Sequence, residues 1–80
     1  MNPEEIRSRI ARGIPNAQVE VMDLTGTSDH FQALVISEQF QGKTMIEQHQ
    51  MVYRALGDAM REAIHALTLK TYTPEQWKHV

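Results

Sequence analysis

Apolar positions recur at helical spacing through Met45, Ile46, Val52, Tyr53, Leu56, Ala59, Met60 and Ala63, with His49 among them. They predict one long amphipathic helix over about Thr44 to Ala63. Thr44 is its N-cap, and Glu47 three residues on completes a capping box. Gly57 interrupts the run at a cost of about 1 kcal/mol relative to alanine, so a break or bend is allowed there. After Ile64 the period changes. Leu67 and Leu69 alternate with Thr68 and Lys70, the period of a strand with one buried face, over about His65 to Tyr72.

Earlier in the chain, Asn2 and Pro3 read as an N-cap followed by a first-turn proline. Glu4 and Glu5 suit the positive end of the helix dipole. Ile6, Ile10 and Ile14 stand four apart, and Gly13 is a stop signal, so helix one is about Pro3 to Arg12. Ala17, Val19 and Val21 alternate with polar neighbours and predict strand one over about Gln18 to Asp23. Leu24 to Asp29 is rich in turn formers, including Thr27, Ser28 and Asp29. Strand two follows over about His30 to Ser37. Its run Leu34, Val35, Ile36 predicts burial on both faces and a central place, and strands one and two are expected to pair as an antiparallel hairpin. Glu38 to Lys43 is a short connection anchored by Phe40. Thr73 caps a last short helix, with Pro74 in its first position, and Trp77 is expected to pack that turn onto the domain.

The order is α–β–β–α–β–α in a single domain over residues 1–80. Strand two, helix two and strand three form a crossover, right-handed if the strands are parallel neighbours. The fold class is α+β, a mixed three-stranded sheet with helices on one face.

Composition narrows the function. Eighty residues support one modest core. There is no cysteine, so the chain supplies neither disulfide nor thiolate. No apolar run approaches membrane-spanning length, and the N-terminus lacks an apolar signal core, so a cytoplasmic protein is expected. The net charge of −2 and the dispersed basic residues disfavour a general nucleic-acid binder.

Gly42-Lys43-Thr44 suggests a phosphate loop, but the required glycine five residues earlier is Ser37, so it reads as a hinge and a helix start. No serine sits in a nucleophile elbow, and an enzyme is not expected. The four histidines are His30, His49, His65 and His79, and no pair has the i, i+4 spacing of a helical zinc site. His49 reads as a core-edge residue. His30 and His65 each open a strand. If those strands are parallel neighbours, both lie at one end of the sheet. There they could donate to a metal whose other ligands come from elsewhere. The alternative is two polar strand-end residues bonded to nearby carbonyls.

Four blocks stand in order: HF opening strand two at His30, F-x-G-K from Phe40, H-x-x-V-Y-x-x-L from His49, and HAL-x-x-K-T-x-T-P-x-x-W from His65. Together with helix one they cover nearly the whole chain, and the combination resembles the BolA family. The resemblance implies a fold related to the type II KH domain. It also implies a non-enzymatic partner of monothiol glutaredoxins that carry a CGFS motif. In such heterodimers a bridging 2Fe–2S cluster is held by the glutaredoxin cysteine, a bound glutathione thiolate and the histidine of the HAL block, here His65.

The second ligand in relatives is usually a histidine or cysteine in the loop between the first two strands. Leu24 to Asp29 holds neither, which leaves His30 as the candidate, or else an apo-type association or a different fourth donor. Mixed imidazole and thiolate ligation raises the potential above that of an all-thiolate site, and protonation of the imidazoles competes with the metal. Both features favour a labile cluster, suited to iron–sulfur trafficking or to iron and redox signalling. The isolated chain is expected to hold no cofactor and to be a monomer or weak homodimer. The alternative reading is a KH-like nucleic-acid-binding transcriptional regulator. Against it, a GXXG loop is absent, and Gln48 stands where relatives commonly carry arginine.

Overall fold

The computed structural model describes residues 2–26, 30–62 and 66–80, with the backbone alone at residues 61 and 62. Helix α1 spans Pro3–Gly13, strand β1 Gln18–Asp23 and strand β2 His30–Ile36. Helices α2 (Met45–Leu56) and α3 (Ala59–Glu62) precede strand β3 (Ala66–Tyr72) and helix α4 (Pro74–Trp77). The sheet order is β1-β2-β3, antiparallel between β1 and β2 and parallel between β2 and β3. The α+β class, the central place of β2 and the crossover between parallel neighbours are as the sequence predicts. The turn formers Thr27, Ser28 and Asp29, the end of helix two at Ala63 and the start of strand three at His65 lie outside the described residues.

The helices form where their caps are. The Asn2 side chain accepts from the Glu5 amide at 2.8 Å, and the capping box of α2 closes in both directions. The Glu47 amide donates to Thr44 Oγ1 at 3.1 Å, and the Thr44 amide donates to Glu47 Oε1 at 2.8 Å. The same reciprocal pattern joins Thr73 and Gln76 at α4. These bonds satisfy amides that have no partner within the helix.

One core lies between the sheet and the two longer helices. Ile6 and Ile10 of α1 and Ile14, its C-cap, join Val52 and Leu56 of α2 over Phe31, Ala33 and Val35 of β2 in one cluster with Phe40. Full burial of each such aliphatic or aromatic side chain is worth roughly 1.5–3 kcal/mol.

Two expectations need correction and two gain detail. The buried stripe of α2 is Gln48, Val52 and Leu56, whereas Met45 and Ile46 are 68% and 72% exposed and Tyr53 is also exposed. Helix two is not continuous, because Gly57 takes a φ of 58° and separates α2 from α3. Burial of β2 is complete on its helix-facing side and graded on the other, where Gln32 and Leu34 are half-buried and Ile36 is buried. The connection after β2 holds a 3-10 turn, Glu38–Phe40, with Ser37 Oγ accepting from the Gln39 amide.

Gln48 is buried for a structural reason. Its amide donates to the carbonyls of Lys43 at 3.1 Å and Phe40 at 3.4 Å, and its oxygen accepts from the Thr71 hydroxyl at 2.8 Å. A fully satisfied amide costs little to bury, whereas losing one partner would expose the others to the full desolvation penalty. It ties α2 to the preceding loop and to β3.

Gly13 lets α1 approach α2 closely. A Cβ there would stand 2.4 Å from the Ala55 Cβ and 2.9 Å from its Cα. Alanine would gain up to about 1 kcal/mol of helix propensity, but overpacking against backbone costs about 1–3 kcal/mol. Gly13→Ala is therefore expected to lower the midpoint of urea unfolding, and an unchanged or higher midpoint would show that the two helices can separate freely.

Two exposed carboxylates contribute to the acid limb of stability. The Arg7 guanidinium hydrogen-bonds Glu4 and holds its carboxyl below the ordinary 4.5. The Thr44 amide, and then the Thr44 hydroxyl, do the same for Glu47. Lowered folded values mean that this stability is complete above the ordinary carboxylate range and is lost as pH falls through the lowered values. Melting temperature should fall below about pH 4.5, and less steeply in Glu47→Gln, whose amide keeps the cap but does not titrate.

Candidate functional site

The head of β2 is built from alternation. Phe31 points into the core and is fully buried, so His30 before it lies on the opposite, solvent-facing side of the sheet and is exposed. The His30 carbonyl accepts from the Leu24 amide at 2.8 Å and closes the hairpin. Asp23 organises the turn that follows β1, since its Oδ1 accepts from the amides of Thr25 at 3.2 Å and Gly26 at 3.0 Å. Gly26 has a φ of 74°, a conformation that glycine adopts freely.

The parallel register pairs His30 with Ala66 and Phe31 with Leu67. The geometric condition set by the sequence is met for these residues: the heads of β2 and β3 stand side by side at one end of the sheet. His65, the residue before Ala66 in the chain, lies outside the described residues. The ring of His30 is exposed and has no hydrogen-bond partner among the described residues. An exposed imidazole can reach an outside acceptor or metal.

The other two histidines lie elsewhere. His49 is half-buried on α2. His79 Nε2 stands 3.5 Å from Glu75 Oε1 on an exposed helical turn. Among the described residues no cluster of three or more histidines, cysteines or carboxylates could hold a metal. A groove of about 600 Å³ is at the opposite end of the sheet, lined in part by Pro15, Gln18, Ile36, Gln39, Pro74 and Trp77. It is remote from His30, which lies at the other end of β2. No described helix is long and apolar enough to cross a membrane.

Sequence reasoning missed two supports of this end. Phe31 was read as part of a strand, not as the anchor that fixes the direction of His30, although strict alternation held that information. Asp23 with Gly26 three residues on is an Asx-turn signal within the polar loop.

Comparison with known proteins agrees with this architecture. The BolA-like protein family model matches residues 9–76. The chain is 40% identical over 77 residues to Protein BOLA2 of Arabidopsis thaliana, covering 94% of this chain and 82% of that protein. It is 28% identical over 82 residues to the DNA-binding transcriptional regulator BolA of Escherichia coli, covering 94% and 78%. The solved structure of a BolA protein homologue from Coxiella burnetii superposes with a TM-score of 0.85 at 35% identity, covering 98% of this chain and 97% of that one. Matched by the family model over most of its length and by relatives across nearly all of it, the chain belongs to the BolA-like family.

Proposed function

We propose that this protein is a non-enzymatic partner of a monothiol glutaredoxin, sharing with it a bridging 2Fe–2S cluster for iron–sulfur trafficking or iron and redox signalling. The observation that carries this reading is the parallel register that sets exposed His30 level with Ala66, the residue that follows His65. The donor chemistry suits a group shared with another molecule. A 2Fe–2S core takes four protein or thiol ligands. This chain has no cysteine, and no described set of three donors stands together, so it can supply imidazoles at this end while the thiolates come from outside.

In this reading His65 is the first ligand and His30 the second. When bound, the cluster supplies one-electron and cluster-transfer chemistry. The chain's own part is to present neutral imidazoles from a rigid sheet end. Phe31 fixes the strand that carries His30, and the Leu24 amide fixes its backbone. Because only the neutral ring ligates, loss of the cluster is expected as histidines protonate on acidification.

The test is anaerobic reconstitution of this chain with a monothiol glutaredoxin, glutathione, iron and sulfide. A heterodimer with about two irons and two sulfides is expected. A glutaredoxin that takes up cluster only as its own dimer, leaving this chain free, would reject the proposal.

The second reading, a nucleic-acid-binding transcriptional regulator, draws on the name of the Escherichia coli relative. Against it stand the net charge of −2 and the burial of Gln48, which removes that position from any phosphate-facing surface. Failure to bind DNA or RNA at low salt would dismiss it.

A further inference from the structure

The groove of about 600 Å³ lies away from the strand heads, and its volume is that of a small-ligand site. Its wall carries Trp77 together with Pro15 and Pro74. The indole is held in place. The capping box of Thr73 and Gln76 fixes the turn that bears it, and Tyr72 packs against it with ring centroids 5.4 Å apart. Trp77 nevertheless remains 41% exposed. The rest of the wall is tied together as well. Gln39 Nε2 donates to the Pro15 carbonyl at 3.1 Å, joining the 3-10 turn to the entry of β1. The Ser37 amide donates to the Tyr72 carbonyl at 3.0 Å, joining the ends of β2 and β3.

The polar groups of this wall favour a guest that donates. Glu38 lines the groove and is exposed, and its carboxylate has no hydrogen-bond or ion-pair partner among the described residues. Gln39 spends its nitrogen on the Pro15 carbonyl, so what it offers a guest is chiefly its oxygen. Lys78 also lines the groove, but Glu75 stands 3.9 Å from its ammonium. We propose that the groove binds an arginine side chain presented by an extended segment of a partner polypeptide. A guanidinium carries five N–H donors and no acceptor, which complements the Glu38 carboxylate and the Gln39 oxygen. It is also planar and stacks on aromatic faces, and tryptophan is the ring that attracts a cation most strongly. The proline rings suit the aliphatic stem of the same side chain. A phosphate-bearing guest would meet the Glu38 carboxylate as a like charge.

One side chain in an open groove is a weak contact on its own, since exposed cation–π and carboxylate contacts each contribute little. A short peptide with a single arginine should therefore bind with a Kd of about 1 mM, more weakly as salt is added. The groove is at the end of β2 away from His30, so a segment seated there leaves the strand heads free.

Nuclear magnetic resonance titration of the nitrogen-15-labelled chain at low ionic strength tests the proposal. The probe is the peptide acetyl-Gly-Arg-Gly-amide, and the indole N–H of Trp77 reports directly because the chain has one tryptophan. Saturable shifts centred on Trp77 and Gln39 are expected. The same peptide with citrulline in place of arginine keeps the shape but not the charge, and should bind about fivefold more weakly or worse. Glu38→Lys should weaken binding of the arginine peptide about tenfold or more by turning an attraction into a repulsion. Glu5→Lys, the same charge reversal at an exposed position of α1 outside the groove, should leave it unchanged. Both positions are exposed, and circular dichroism checks that the variants are folded. Any of four results would overturn the proposal: no saturable shift, shifts centred away from Trp77, citrulline binding as well as arginine, or Glu38→Lys binding no worse than Glu5→Lys.

Discussion

Phe31→Ala is expected to remove about 3–5 kcal/mol of stability, the cost of truncating a fully buried phenylalanine. The side chain has no exposed surface and belongs to the cluster that includes Ile6, Ile10, Val52 and Leu56. An 80-residue domain has only about 4–12 kcal/mol in total. The substitution should lower the melting temperature by roughly 15–30 °C, leaving a protein that is partly unfolded near physiological temperature. Functional loss follows from position as well as energy, since Phe31 holds the strand head that presents His30. A drop of only a few degrees would mean that the head of β2 is not anchored by this ring.

His65→Ala is expected to abolish the mixed imidazole and thiolate signature of the complex with glutaredoxin, while leaving the fold of the isolated chain intact. Visible absorption and circular dichroism of the anaerobic complex would read the loss directly. Removing a metal ligand costs more than the 10–100-fold typical of a residue that only orients one, so cluster retention by this chain should collapse. His30→Ala, by the same logic, should change the spectrum if His30 is the second donor, and should leave it unchanged if that donor lies elsewhere. A His65→Ala complex with the wild-type spectrum would count against the ligand assignment.

How far the sequence was legible depended on whether a signal was local. Strand β1 runs Gln18–Asp23 as predicted, because Val19 and Val21 alternate cleanly with polar neighbours. The caps at Asn2, Thr44 and Thr73 were readable because their partners are three residues away. The buried face of α2 was not. Met45, Ile46 and Tyr53 carry the hydrophobic signal yet face solvent, while polar Gln48 is 4% exposed. Its partners at Phe40 and Thr71 lie 8 and 23 residues away, and periodicity carries no information about them. Gly13 reads as a helix stop in sequence, but its consequence in three dimensions is contact with Ala55. At the candidate site, the level of His30 with Ala66 follows from strand order, which the α–β–β–α–β–α pattern anticipated, and from register, which the pattern does not carry.

The central claim is that imidazole nitrogen from this chain reaches an iron atom held jointly with another protein. Pulsed electron paramagnetic resonance on the reduced heterodimer tests it, with nitrogen-15 histidine placed in this chain alone. The account predicts nitrogen couplings that change with the label in the wild-type heterodimer, and no loaded heterodimer from His65→Ala. A loaded heterodimer whose couplings ignore the label would contradict it.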